Sequence, residues 1–228
     1  MHAEILRTKN FFGDAVAIIQ RAADVALFER GIFRIGLSGG STPRGIYEVL
    51  ADESCAWEDW FFTFGDERCV HPEDDGSNYR MVADALFKRC GIPERNVLRI
   101  CGELEPVEAA RDYERRLRAE VAEGDAIYRH DLLLLGVGDD GHTASLFPGT
   151  AALEEKERWV VENYVSRLDA WRVTLTYPVI NAARQVIFLV RAKGKEEVLK
   201  RVEKGGCDDP CCRVHPVDGN LIWLVGEV

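Results

Sequence analysis

A chain of 228 residues, 46% hydrophobic and 30% charged, has the composition of an ordinary globular protein and enough length to bury a full core. Its 29 Lys and Arg against 39 Asp and Glu leave a net charge of −10. With no basic run, that argues against nucleic acid or an anionic membrane surface as a partner. No apolar run approaches the ~20 residues of a membrane-spanning helix, and Met1–Arg7 lacks a basic-then-apolar leader pattern, which points to the cytoplasm.

No internal repeat or Pro/Gly/Ser-rich linker divides the chain, so one domain over 1–228 is expected. Ala15, Ile18, Ile19, Ala22, Val25 and Ala26 have helical spacing over about 11–30, ended by Gly31. Ile32–Leu37 reads as a buried strand. Ser38-Gly39-Gly40-Ser41-Thr42 follows, with Pro43 suited to the first turn of a helix reaching about Leu50. Phe61–Phe64 is a second strand. Ser77 is a candidate cap for a helix carrying Tyr79, Val82, Ala83, Leu86 and Phe87, with Gly91 past its end.

Val97–Ile100 reads as a short strand, and Val107, Ala110, Tyr113, Leu117 and Val121 as one helix face closed by Gly124. Leu132–Val137 is continuously apolar, the pattern of a strand covered on both faces. Strands are further expected at Trp159–Val161, Val173–Thr176, Val186–Val190 and Leu221–Val225, with a helix over Lys195–Val202. Alternating strands and helices imply an α/β fold with a mostly parallel sheet. Ligands of such sheets bind beyond the carboxyl ends of the strands. Three strand ends there carry unusual polar residues: Ser38–Thr42, Gly65–Arg68 and Gly136–His142.

Ser38-Gly39-Gly40-Ser41-Thr42 offers close backbone approach, hydroxyls and a helix N-terminus, which together suit one phosphate group. The same residues also make a plain capped strand–helix turn. Asp66 and Arg68 alternate so that both can face one cleft, whereas Glu67 between them reads as a solvated charge.

Gly136, Gly138 and Gly141 formally match G-x-G-x-x-G, but Asp139 and Asp140 stand where a pyrophosphate would approach. Pro148-Gly149 would stop the following helix after about one turn, so a dinucleotide site is rejected. What remains is Asp140-Gly141-His142. A histidine titrates near pH ~6.5 and can serve as a base, and a carboxylate can orient its ring. His2, His71, His130 and His215 are assigned to surface or structure. Ser145 lacks a nucleophile elbow, so water is the preferred nucleophile. Arg172 and Lys195 open a strand and a helix further on.

The 7 cysteines are odd in number and mostly sit within apolar patterns, which reads as reduced thiols. Cys207, Cys211 and Cys212 cluster with only His215 nearby, too little for a zinc site, so no metal is expected.

These loops together resemble the 6-phosphogluconolactonase family, in the larger group that includes glucosamine-6-phosphate isomerase/deaminase. The likeness runs in order through Leu37–Pro43, Gly65–Arg68 with Ser77-Asn78-Tyr79, Gly136–Gly149, Arg172–Thr176 and Lys195. The deaminase branch shares Asp-Gly-His but continues with Asn-Glu-Pro, where this chain has Ser145-Leu146-Phe147-Pro148. The resemblance implies a three-layer α/β/α, Rossmann-like fold with no metal or organic cofactor. It also implies hydrolysis of 6-phosphoglucono-δ-lactone, a small phosphorylated sugar lactone, in the oxidative pentose phosphate pathway.

The same likeness implies His142 as the base that activates water, and a phosphate held by Ser38, Gly39, Gly40, Ser41 and Thr42 with Arg172 and Lys195. The chemistry suits Arg68 beside the developing oxyanion, with Asp140 and Asp66 orienting His142 or binding sugar hydroxyls. Three features depart from the family: Ala192 three residues before Lys195, Ser166–Trp171 in place of a proline-rich approach to Arg172, and the cysteine cluster. The alternatives are an amino-sugar-phosphate isomerase/deaminase and a non-catalytic sugar-phosphate sensor.

Overall fold

The computed structural model describes residues 3–205 and 207–227; His2 lies outside them. In chain order it contains β1 (Glu4–Thr8), α1 (Phe11–Arg30), β2 (Phe33–Leu37), α2 (Ser41–Leu50), β3 (Trp60–Phe64) and β4 (Asp66–Arg68). Then come α3 (Asn78–Val82), a π-turn over Ala83–Phe87, α4 (Lys88–Cys90), α5 (Pro106–Ala119), β5 (Leu132–Leu135), β6 (Val160–Val165) and β7 (Ala170–Leu175). The chain closes with α6 (Tyr177–Ile180), β8 (Gln185–Arg191), α7 (Glu196–Lys204) and β9 (Asn220–Gly226).

Six strands form one parallel sheet in the order β1-β9-β8-β5-β2-β3. Every residue of β5 is buried, so both faces of the sheet are covered, as its apolar run requires. From β2 the chain adds β3 on one side and later returns to place β5 on the other. The strand order therefore reverses between β2 and β5. There the loops leaving the two carboxyl ends diverge and open a crevice.

A second, antiparallel sheet, β4-β7-β6, stands over that edge. Gly65 joins the sheets: its N–H donates to Leu37 O and its carbonyl accepts from Leu175 N, both at 2.9 Å. Strands at Trp159–Val161 and Val173–Thr176 are expected from the sequence and fall on β6 and β7, but β4 is not, because three consecutive charges at 66–68 do not resemble a strand. β1 escapes the same way: it is a half-polar edge strand with no apolar run.

Other departures have local causes. Val97–Ile100 is not a strand; only Val97 bridges to Phe62, while Leu98 and Ile100 bury their side chains. No helix follows Gly136–His142. Thr143 and Leu146 close a tight turn instead, with Ala144 in the left-handed region at φ 46°.

The expectation of reduced thiols fails at Cys207 and Cys212, which form a disulfide with Cα atoms 5.8 Å apart. It closes a short loop around the 3-10 turn Pro210–Arg213. Four residues separate the partners, a local contact that spacing alone does not distinguish from free thiols.

Candidate active site

The carboxyl ends of β2 and β3 are fixed by the same device. Tyr47 Oη accepts from Ser38 N–H and donates to Ser38 O, both at 3.0 Å. Tyr113 Oη accepts from Phe64 N–H at 2.8 Å and donates to Phe64 O at 2.9 Å. Each buried hydroxyl satisfies a backbone pair where the strand leaves the ladder. Past Ser38, Gly39 lies so close to Asn78 that a Cβ would sit 1.8 Å from its Oδ1. Gly40 then opens α2, whose N-terminus carries no side-chain cap. Its first N–H groups are thus left for an anion.

Beyond β5 the chain folds back on itself: Gly138 N–H donates to His142 O at 2.8 Å, and Gly141 N–H to Gly138 O at 3.1 Å. A Cβ on Gly138 would fall 2.0 Å from His142 Nδ1, so only glycine allows this closure. Within the turn Asp140 Oδ1 lies 2.5 Å from His142 Nδ1 and accepts His142 N–H at 3.1 Å. A carboxylate that close requires a proton on Nδ1, which leaves Nε2 bare as an acceptor.

Burial raises the Asp140 pKa, but the hydrogen bonds from His142 and the His142 and Arg167 charges outweigh it and hold the carboxyl below its ordinary range. The His142 ring stacks on Phe147 at 4.1 Å and 23° and is 25% exposed. From behind, Cys211 N–H donates to Gly141 O at 2.9 Å, so the disulfide-closed segment backs the turn.

β4 and β7 pair Arg68 with Arg172. Among the described residues neither makes an ion pair within 4.0 Å. Burial first, then the Arg68 charge, pulls Arg172 below the ordinary guanidinium value. Two adjacent unneutralised cations in a cleft favour an anion or a developing negative charge.

Asp66 beside them takes Ser145 Oγ–H at 2.6 Å and Asn78 Nδ2–H at 3.2 Å. Its bonds run to Ser145 and Asn78, whereas Asp140 is the carboxylate bonded to His142. Glu67 corrects the expectation of a solvated charge. It is buried and accepts from Ser77 Oγ and from the N–H groups of Asn78, Tyr79 and Arg68, anchoring the start of α3. Burial nonetheless pushes its pKa up.

The cleft has two lobes that share Gly39, Gly40, Gly136, Val137 and His142. One, of about 350 Å³, holds Ser38, Asp66, Arg68 and Arg172. The other, of about 630 Å³, holds Ser41, Thr42 and Lys195. Every candidate residue except Asp140 lines one of them, and Asp140 sits directly behind His142. Arg172 and Lys195 come from opposite lobes.

Sequence reasoning missed Asn78, Arg167, Arg191 and Lys193, which also line the cleft. Of these, Asn78 did carry a signal: it follows the cap residue Ser77 and lies in the family-like stretch Ser77-Asn78-Tyr79. A larger concavity, about 750 Å³, lies at the opposite, amino edge of the sheet. There Asp131 already neutralises Arg30 and Arg184, at 3.0 and 3.4 Å, and no histidine lines it.

The chain is similar to known proteins over nearly its whole length. Residues 7–223 match the family model described as glucosamine-6-phosphate isomerases/6-phosphogluconolactonase. A human 6-phosphogluconolactonase is 40% identical over 225 residues, covering 93% of this chain and 85% of that protein. One from Nostoc is 36% identical over 232 residues, covering 96% and 95%. The crystal structure of the Thermotoga maritima 6-phosphogluconolactonase superposes with a TM-score of 0.89 at 30% identity, over 99% of this chain and 100% of that one.

Proposed function

This chain belongs to the glucosamine-6-phosphate isomerase/6-phosphogluconolactonase family, and we infer that it hydrolyses 6-phosphoglucono-δ-lactone to 6-phosphogluconate. The observation that carries the mechanism is the Asp140–His142 pair, with Nε2 bare in a cleft that also holds the unpaired Arg68 and Arg172. His142 Nε2 takes a proton from water as the water oxygen bonds to C1. The carbonyl electron pair moves onto oxygen, and Arg68 stabilises the resulting oxyanion. When the oxyanion collapses, the C1–ring-oxygen bond breaks, and the imidazolium returns its proton to the departing ring oxygen. The new carboxylic acid ionises and releases one proton.

A well-placed histidine base supplies about 10²–10⁴-fold and an oxyanion donor about 10²–10³-fold. For an activated ester that opens slowly unaided, this is sufficient. The Ser38–Thr42 loop, with the free N-terminus of α2 and Lys195 beside it, supports the phosphate and thereby orients C1. Arg172 approaches from the Arg68 side, and Asp66 is available to the sugar hydroxyls. Among the described residues no helix is long and apolar enough to cross a membrane, in keeping with a cytoplasmic enzyme.

Acid release from freshly prepared 6-phosphogluconolactone tests this reading. Micromolar protein should accelerate it well beyond the buffer rate, with no turnover of glucosamine 6-phosphate. A lactone rate equal to buffer, with turnover of the amino sugar, would move the chain to the isomerase branch.

A further inference from the structure

We infer that Arg167 is a positioning residue for this hydrolysis: it holds the Asp140 carboxylate so that His142 stays oriented, and its charge keeps the imidazole available as a base. The inference rests on the reading of His142 as the base. Arg167 lies on the 3-10 turn Ser166–Leu168 between β6 and β7, so it reaches the catalytic turn from the other sheet. Its Nη1 lies 2.8 Å from Asp140 Oδ2, while Oδ1 faces His142 Nδ1 at 2.5 Å.

Each carboxylate oxygen thus has its own partner. A carboxylate held on one oxygen can rotate about Cβ–Cγ, whereas one held on both cannot, and the ring bonded to it inherits that fixity. Phe147 completes the arrangement. The His142 ring stacks on it, and the Arg167 guanidinium sits 4.8 Å from its ring centroid.

Charge supplies the second part of the role. Arg167 Nη2 stands 3.3 Å from His142 Nδ1. It cannot donate to a nitrogen whose proton already points at Asp140, so its effect there is repulsion of the imidazolium. With Arg167 present, the Asp140 charge is shared between ring and guanidinium. Without it, the whole carboxylate acts on the ring and favours its protonated, non-basic form.

The other charged groups around His142 are Asp139 on its own turn, Asp66 and Arg68 on β4 and Arg172 on β7. Arg191, Lys193 and Lys195 follow along and beyond β8, and Asp209, paired with Arg201, packs behind Gly141. All remain when Arg167 is replaced, so a change in pH profile isolates its contribution.

Arg167 is 46% exposed, and Arg167→Met should fold normally. In that variant kcat should fall about 10-fold. The acid limb of kcat/KM should move up by about half a pH unit, as for a unit charge removed ~4 Å from a solvated ring, with KM within about two-fold of wild type. Arg167→Lys should restore most of the limb. In an Asp140→Asn background, Arg167→Met should add little, because the pair acts as a unit.

An unmoved acid limb with wild-type kcat overturns the inference. So does a raised KM with the limb unmoved, which would make Arg167 a substrate contact. In either case an inactive His142→Ala leaves the parent reading intact. A fully active His142→Ala overturns both.

Discussion

β5 has a histidine near each end, and the two environments are opposites. His130 precedes the amino end, fully buried, with Nε2 2.8 Å from Thr63 Oγ1, Nδ1 unpartnered and Tyr128 edge-on at 4.9 Å. Among the described residues no carboxylate bonds its ring, and burial drives its pKa down to about 3. His142 follows the carboxyl end, partly open to the cleft and bonded to Asp140. One side chain is locked neutral by its surroundings; the other is given a counter-ion and a free nitrogen. Position along the strand therefore decides the role: the amino end of a parallel strand is a place for stability, and the carboxyl end a place for chemistry.

Exchanging the consequences of the two histidines should give the largest effects. His142→Ala is expected to lower kcat by about 10²–10⁴-fold with little change in KM or in the denaturation midpoint. His130→Ala should do the reverse, costing about 3 kcal/mol of stability while the folded fraction turns over normally. Steady-state kinetics and urea titrations on both variants check the pair, and wild-type kcat in His142→Ala would erase the distinction.

Asp140→Asn sharpens the comparison by leaving His142 in place without its counter-ion. The amide can stabilise the wrong tautomer, so kcat should fall on the order of 10²-fold, with protein stability near wild type. Equal activity of the Asn variant would mean that orientation of the ring does not depend on Asp140.

Arg172→Ala addresses the cleft wall. If Arg172 serves the phosphate, binding of 6-phosphogluconate should weaken about 10-fold, while slow turnover of unphosphorylated gluconolactone hardly changes. Equal losses on both substrates would assign it to the lactone side with Arg68.

The smallest effect concerns acid. The folded-state value of His130, about 3, lies below the ordinary 6.5. Unfolded chains therefore bind a proton that the folded protein refuses. The contribution is complete above pH ~6.5 and is lost as pH falls toward about 3. Denaturation at pH 7 and pH 4.5 should show a steeper acid loss in wild type than in His130→Gln; parallel losses would mean that His130 is not responsible.

Five strands of the parallel sheet were legible because they are apolar runs, and its helices because they are periodic: Leu132–Leu135 and the 11–30 stripe need no tertiary information, whereas the half-polar edge strand β1 offers no such run. The three polar strand ends were legible for a related reason, since glycines, hydroxyls and charges stand out against such runs. What escaped depends on distant partners. Glu67 reads as solvated until Ser77, Asn78 and Tyr79 are seen donating to it. Asp66 and Asp140 are equivalent carboxylates in one dimension, separated only by the contacts each makes. Arg167 lies 27 residues from Asp140 and meets it only because a second sheet folds over the edge of the first.

The assignment of His142 as the base is tested most directly by supplying the missing base from solution. His142→Gly leaves space at the turn, and added imidazole should restore acid release from fresh 6-phosphogluconolactone, beyond its effect in protein-free buffer. The restored rate should saturate with imidazole and disappear at pH values where imidazole is protonated. A His142→Gly enzyme that is inactive yet indifferent to imidazole in all its forms, or one already active without it, would contradict the assignment.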